Sequence, residues 1–440
     1  MPETLDATYE RTLQDIGNQN WEYAHRLLQC VAVAVRPLRV EELADFLAFD
    51  FDTESSPIFR EDWRSEDPGY AVRSTCSSLL AVVDVGGSKV IQFAHFSVQE
   101  YLMSKRLREA HDTISCFYVS NTSAHIMIAH ACLGVLLHLN KNVTKHDLKS
   151  FPLANYAAHH WFVHAQFEDV SLSPKIQNLV RSLFDPSKHH LSVWVFLYDP
   201  IPSSFHFDRP EHPPQPRAPH LHYAAFTGIE DVVEFLVISH SQNVKSRCLD
   251  DKTALSIASQ MGHSKVARFL LEHGADMEIR DWIGRSPLRQ ASSEGHVEIV
   301  LLLLEFGADV EAKNQYNNNA LTFASARGHL AVVRVLLEHG ANVKARNHDN
   351  MTPLHVASEA GVAQILLQNE ADADARDDGG WTPLHHASKH NRVEVAKLLL
   401  QHGAEVNRRD NNDRTTLHLA TQHDVVQLLL EHGAKDHRME

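Results

Sequence analysis

The usual signatures of catalysis and of membrane insertion are missing from this 440-residue sequence. Its five cysteines, Cys30, Cys76, Cys116, Cys132 and Cys248, form no C-x-x-C pair. That argues against a disulfide framework or a thiolate metal site and suits a reducing compartment. No apolar run approaches the roughly 20 residues that cross a bilayer, and no basic start precedes a long apolar stretch. We expect a soluble, cytoplasmic chain without membrane contact. H-E-x-x-H does not occur, and Ser97, in His95-Phe96-Ser97-Val98, stands in no nucleophile-elbow pattern. G-x-x-x-x-G-K-[ST] is also lacking, since Gly86-Gly87-Ser88-Lys89 has neither its spacing nor its helix. The expectation is no enzyme, no cofactor and no metal.

Positive charge is scarce too. The formal charge is -15, with 22 Lys+Arg against 30 Asp+Glu after residue 217 and 19 against 26 before it. Proteins that grip phosphate backbones concentrate cations, and no such cluster occurs here, so nucleic acid is not expected as a partner. The 32 histidines suggest metal binding at first sight. Many recur at fixed places, as His355, His385 and His418 do after a leucine, and His273, His339, His402 and His432 before a glycine.

What is abundant is repetition. Thr253-Ala254-Leu255, Ser286-Pro287-Leu288 and Asn319-Ala320-Leu321 are spaced 33 residues apart, as are Gly274, Gly307 and Gly340. A period of that length means stacked two-helix units. Thr caps a first helix, Pro sits at its first position without losing a hydrogen bond, and the following Ala permits close stacking. A second helix carries the apolar load, as in Val297, Ile299, Val300, Leu302 and Leu303, and ends at glycine. Asp281, Asn314, Asn347, Asp377 and Asp410 then mark hairpin-like tips.

The spacing from Ala258 to Gly274, Ala291 to Gly307, Ala324 to Gly340 and Ala387 to Gly403 is 16 positions, but from Ala357 to Glu370 and Ala420 to Gly433 it is 13. Gly361 follows Ala357 at the usual interval, so the expectation is that the 349–378 unit has lost the first turn of its second helix. With Glu370 where glycine belongs, this unit is expected to be a weak joint. The last unit, also short, is expected to be an atypical cap.

Ahead of the repeats, Leu5, Tyr9, Leu13 and Ile16, then Ala24, Leu27, Leu28, Val31 and Val35, then Val40, Leu43, Phe46 and Leu47 fall at helical spacing. Residues 51–69 read as a loop and 71–79 as a short helix. Leu80–Val85 and Val90–Phe93, separated by Gly86-Gly87-Ser88, form a hairpin signal, and a helix follows from Phe96 to about Arg108. Residues 110–198 read as helical, and seven of the 17 prolines lie between Pro200 and Pro219.

Leu221, Leu255, Leu288, Leu321, Leu354, Leu384 and Leu417, with Thr352-Pro353-Leu354-His355-Val356-Ala357 and Thr382-Pro383-Leu384-His385-His386-Ala387, resemble ankyrin repeats. Seven units are implied, at about 218–249, 250–282, 283–315, 316–348, 349–378, 379–411 and 412–437. Pro2 to Arg11, Arg36-Pro37-Leu38 with Glu41-Glu42-Leu43, and Phe93-Ala94-His95-Phe96-Ser97-Val98-Gln99-Glu100-Tyr101-Leu102 resemble the region after the nucleotide-binding module of fungal NACHT proteins with ankyrin repeats. That region is similar to the winged-helix domain of the GPI inositol-deacylase type. Tyr156-Ala157-Ala158-His159-His160-Trp161 with His164-Ala165 resembles the helical segment that follows it in that family.

The fold expected is therefore mainly α: a winged-helix domain with one β-hairpin over 1–109, a helical connector over 110–199, a Pro-rich linker over 200–217 and ankyrin repeats over 218–437. The resemblance implies a front half that packs on an NTPase module, which this sequence lacks, and repeats that bind a protein. Trp282, Tyr316, His348 and Trp381 fall at or beside successive tips and are the candidate protein-binding residues. An acidic array favours a neutral or basic partner. The alternatives are a fragment of a NACHT signalling ATPase and a DNA-binding regulator. The latter would rest on Tyr70–Leu79, where only Arg73 is cationic, and on Lys89 in the hairpin. His160 and His164, at i and i+4 with His159 beside them, have zinc-ligand spacing, but their apolar setting favours packing.

Overall fold

Glu42 explains why Arg36-Pro37-Leu38 and Glu41-Glu42-Leu43 stand so close together. Its carboxylate is completely buried and accepts bonds from Arg36 Nη1 and Nη2 at 2.8 and 2.7 Å and from Arg39 N and Nε at 2.8 and 2.9 Å. Burial alone would raise the Glu42 pKa, but these donors hold it below the usual carboxylate range. The carboxylate thereby fixes the turn that leads into the third helix. A computed structural model describes residues 5–16, 21–51, 57–63, 67, 78–110, 112–201 and 210–435. The chain divides into two compact units, Met1–His220 with Glu234–Ser241, and Leu221–Val233 with Gln242–Glu440.

In the first unit, α1 (Leu5–Gln14), α2 (Trp21–Val33) and α3 (Val40–Leu47) follow the apolar spacing and bury Tyr9, Leu13, Leu27, Leu28, Leu43 and Phe46. Val35 lies beyond the end of α2, exposed, with its N–H donating to the Tyr156 hydroxyl at 3.1 Å. A two-residue strand β1 (Leu38–Arg39) precedes α3, and β2 (Phe49–Asp50) pairs antiparallel with β3 (Ile58–Phe59), which lies inside the stretch read as a loop. Strands this short carry no alternation, which is why spacing does not reveal them. The hairpin forms as expected from β4 (Leu80–Val85) and β5 (Ser88–Phe93). Gly86 and Gly87 both take positive φ at its turn. β1 joins β5, placing Leu38 opposite Ile91, so the sheet order is β1-β5-β4. The expected helix over 71–79 lies outside the described residues except at its end.

The helix expected from Phe96 to Arg108 is interrupted. It forms α4 (Phe96–Leu102) and α5 (Lys105–Arg108), because Ser104 takes extended backbone and its hydroxyl caps Leu107 N at 3.3 Å. Next come α6 (Asp112–Ser115), α7 (Asn121–His138), α8 (Leu153–Ala165), α9 (Pro174–Phe184) and α10 (His190–Leu197). Trp161, Trp194, Tyr156 and Phe184 are fully buried here. Trp161 meets Trp194 edge-on at 5.5 Å, and Trp194 Nε1 donates to Ala158 O at 2.8 Å, so the indole packs without losing its hydrogen bond.

The second unit is built from helix pairs. They are α11 (His220–Thr227) with α12 (Glu230–Glu234), α13 (Ala254–Met261) with α14 (Ser264–Glu272), α15 (Pro287–Glu294) with α16 (Val297–Glu305), and α17 (Ala320–Arg327) with α18 (Leu330–Glu338). α19 (Pro353–Val356) pairs with α20 (Ala360–Gln368), α21 (Pro383–Lys389) with α22 (Val393–Gln401), and α23 (Thr416–Leu419) with α24 (His423–Glu431). The anchoring leucines are buried throughout. Histidine supplies the mortar between pairs. His263, His296 and His329 each donate Nε2–H to a carbonyl of the preceding pair, at Phe226, Gln260 and Ser293, over 2.9 to 3.0 Å. The close approach needs glycine opposite: a Cβ on Gly262 would meet the His296 ring at 2.8 Å. At the other fixed position, Thr352 N–H donates to His355 Nδ1 at 3.0 Å, which leaves Nε2–H to donate to Trp381 O at 3.2 Å. His385 does the same with Thr382 and Arg414 O.

The shortened pair departs from expectation. α20 has nine residues, as α16 and α18 do, whereas α19 has four. The missing turn is the last turn of the first helix, not the first turn of the second. Ala357 leaves the helix at ψ 116°, and Gly361 lies inside α20 instead of ending a helix. Arg392, from the following pair, fills the gap: its Nη1 donates to Val356 O at 3.1 Å and Ala357 O at 3.0 Å. Glu370 does take the left-handed region, at φ +65°. α23 is truncated in the same way as α19. Residues 200–201 and 210–219, the described parts of the Pro-rich stretch, form neither helix nor strand.

Candidate protein-interaction surface

The tips are shaped by one acceptor each. Asp281 Oδ1 accepts from Ile283 N and Arg285 N at 3.2 and 2.8 Å, and Asn314 Oδ1 from Tyr316 N and Asn318 N at 3.0 and 2.9 Å. Asn347 repeats the pattern with Asp349 N and Met351 N, and Asp410 with Asn412 N and Arg414 N. A short polar side chain that bonds the backbone two and four residues on is what makes these loops tight. Successive tips are then laced together: Trp282 N donates to Asp250 O, His348 N to Tyr316 O, and Asn411 N to Gly379 O.

On this frame the four candidate residues separate. Trp282 is 54% exposed and Tyr316 58%, and His348 is exposed as well. A large aromatic held open on a bonded backbone loses little entropy on binding, as an interface anchor requires. Trp381 is placed differently. Its Nε1 donates to Asp410 Oδ2 at 2.9 Å, and Lys389 Nζ and the Arg414 guanidinium carbon lie 4.7 and 5.7 Å from the centre of its ring. Its bonds are spent inside the repeats, so it stiffens the frame.

Arg289, at the start of α15, escaped the sequence reading. It stands after Leu288, where other pairs carry His355 or His385 bonded to the next pair. Here the guanidinium lies 3.8 Å from the centre of the Phe323 ring. Its Nε and Nη1 have no hydrogen-bond partner among the described residues, and neither amide atom of Gln290 has one, although Gln290 is only 3% exposed. Burial, with Arg285 nearby, brings the Arg289 pKa down to about 10. The nearby carboxylate is already taken, since Arg285 Nε holds Asp281 Oδ2 at 2.6 Å.

His164, His159 and Ser97, the front-half candidates, each hold hydrogen bonds to neighbouring groups. Val35 N–H donates to the Tyr156 oxygen, so the Tyr156 O–H donates to His164 Nε2 at 2.9 Å, and His164 Nδ1–H donates to His125 Nδ1 at 2.9 Å. Burial drives His164 down to about 3, with His125 and His160 adding to it. His159 Nδ1 bonds Asn155 O instead of sharing a ligand with its neighbours. Among the described residues no group of three or more His, Cys, Asp or Glu is placed to hold a metal ion. Ser97 Oγ lies 2.6 Å from His95 Nδ1 and 2.8 Å from Tyr9 OH, and His95 also accepts from Ser97 N as the cap of α4. Arg73 lies outside the described residues; Lys89 sits in β5. No helix among the described residues is long and apolar enough to cross a membrane.

Comparison with known proteins agrees with the two halves of the chain. Residues 221–314, 288–377 and 354–439 match the family of ankyrin repeats in three overlapping copies, and residues 9–115 match the winged helix domain of GPI inositol-deacylase. The chain thus carries ankyrin repeats and a winged helix domain of that type. The azaphilone pigments biosynthesis cluster protein L of Monascus ruber is 29% identical over 295 residues, 63% of this chain and 60% of that protein. The solved human ASB11 ankyrin repeat domain is 31% identical, with a TM-score of 0.45 over 49% of this chain and 98% of its own.

Proposed function

We propose that this chain is a non-enzymatic scaffold that binds a protein partner through the tips and first helices of seven ankyrin repeats. Ankyrin repeats are protein-interaction modules, and the observation that carries the reading here is the pair of exposed aromatics, Trp282 and Tyr316, held on hydrogen-bonded tips. The acidic balance of the array, 22 Lys+Arg against 30 Asp+Glu, favours a neutral or basic partner surface in the cytoplasm. The winged-helix half docks on a second protein module, an NTPase of the NACHT type by resemblance, and so places the array in intracellular signalling.

A second reading, part of a signalling ATPase whose repeats sense a ligand, is favoured by the match of residues 9–115. A P-loop encoded directly upstream of Met1 would select it. The test of the first reading is quantitative capture of partners by the full chain and by its Trp282→Ala/Tyr316→Ala variant. Recovery should fall with the variant, and equal recovery would remove the tips from the binding surface.

A further inference from the structure

We propose that the second helices α14 and α16 carry a docking site of their own, a groove that takes a partner's amphipathic helix by one large apolar side chain and a lysine or arginine one turn away. The surface is separate from the tips and first helices and does not depend on their role. The groove has a volume of about 340 Å³. Its middle is apolar, formed by half-buried Phe269 of α14 and by Leu301 and Leu302 of α16, of which Leu301 is half-buried and Leu302 only 2% exposed. The Phe269 ring is fixed by stacking on His273, 4.0 Å from centre to centre. Among the described residues, none of α18 lines the groove. Leu301 is what makes the middle apolar. In register with it stand Arg268 in α14, Arg334 in α18, Gln364 in α20, Lys397 in α22 and Gln427 in α24. The repeats therefore stack without leucine at this place, and here an apolar side chain joins Phe269 in a patch that water reaches.

The same residue unbalances the charge. α14 and α18 place an arginine one turn before their last glutamate, Arg268 before Glu272 and Arg334 before Glu338, whereas α16 has Leu301 before Glu305. Glu272 and Glu305 both line the groove as the final residues of their helices, where the backbone carbonyls already carry partial negative charge. Neither forms an ion pair among the described residues. At the other end Glu298 accepts from Ser264 Oγ at 2.9 Å, and Glu230 adds a fourth carboxylate, against two cations, Lys265 and Arg268, both on α14. A partner's cation set between Glu272 and Glu305 relieves the repulsion there, and an acidic segment is repelled. Leu301 and Glu305 are four residues apart, about 5–6 Å between Cβ atoms, the spacing at which a second helix presents an apolar and a basic side chain on one face.

The probe is a displayed library of alanine-rich helical peptides randomised at positions i, i+3, i+4 and i+7, selected on the full chain with excess Leu301→Arg chain as competitor. Leu301→Arg installs the residue that α14 and α18 carry in register, so this variant should melt with wild type. The expected result is enrichment of peptides that pair Leu, Ile, Met or Phe with Lys or Arg one turn apart. Their affinity should be at least about tenfold weaker for Leu301→Arg and for Glu272→Lys/Glu305→Lys, the loss of an apolar anchor or of a charge-assisted pair. It should be unchanged for Trp282→Ala/Tyr316→Ala. Exchanging the peptide's cation for glutamate should restore binding to the charge-reversed chain. No enrichment, enrichment of acidic or uncharged peptides, or equal binding by the charge-reversed chain overturns the groove as a site for a basic helix. Peptides lost on the double tip variant place the contact at the tips, which overturns the groove and leaves the tip surface standing. If Leu301→Arg melts below wild type, the charge reversal and its rescue by the exchanged peptide decide between the same outcomes.

Discussion

Replacing Arg392 with methionine tests how the shortened repeat is held. Arg392→Met keeps most of the aliphatic stem and removes the two bonds from Nη1 to Val356 O and Ala357 O. Each charge-assisted hydrogen bond contributes about 1.5–3 kcal/mol, and burial of the guanidinium, which lowers its pKa, offsets part of this. A net loss of about 2 kcal/mol is expected. In an array whose stability sums over neighbours, the loss falls on the joint between α19–α20 and α21–α22 and not on distant pairs. At about 1.4 kcal/mol per tenfold, amides of α20 should exchange about 30-fold faster than in wild type. Amides of α16 should be unchanged. The wild-type profile is informative by itself, because residues 354–370 should already exchange faster than 288–304. Unchanged protection of α20 in the variant would refute the argument that Arg392 closes the missing turn. Equal wild-type protection in the two segments would refute the weak joint.

Glu370→Gly relieves a non-glycine residue at φ +65°, and urea unfolding should show the array stabilised by roughly 1 kcal/mol; destabilisation would contradict the strain argument. Glu42→Ala leaves Arg36, Arg39 and a backbone N–H without their acceptor and should cost roughly 3 kcal/mol in the first unit, against less than about 1 kcal/mol if the pair behaved as a surface bridge. Acidification should also weaken that unit. His164 is held at about 3 in the fold, so stability is full above the unfolded value near 6.5 and falls with pH through the window below it. The loss from His164 alone is about 2 kcal/mol at pH 5. Denaturation followed by the fluorescence of buried Trp161 and Trp194 should report it, and equal midpoints at pH 7.5 and 5 would contradict the buried neutral imidazole.

The ankyrin array was legible because each repeat states its own structure locally. Thr or Ser caps, Asp or Asn tips and terminal glycines act within a few residues of themselves. Even the histidine surplus follows from this, since His263, His296 and His329 each bond one carbonyl of the pair before. The short repeat was misread because Gly361 keeps the interval of a helix-ending glycine while lying inside α20, and only Arg392, from another pair, settles which helix is cut. Trp381 and Trp282 look alike in sequence. They differ through Asp410, Lys389 and Arg414, which reach Trp381 from neighbouring elements. Arg289 could have been found as a cation standing where the repeats otherwise place histidine. Its unsatisfied state depends on Asp281 being occupied by Arg285, and no spacing reveals that.

Site-specific photo-crosslinking tests the interaction surface most directly. A photoreactive side chain is placed in the full chain either at position 316, on a tip, or at position 334, on the exposed side of α18. The account predicts protein adducts from 316 that disappear when Trp282 is also replaced by alanine, and none from 334. Adducts from 334 with none from 316 would contradict it.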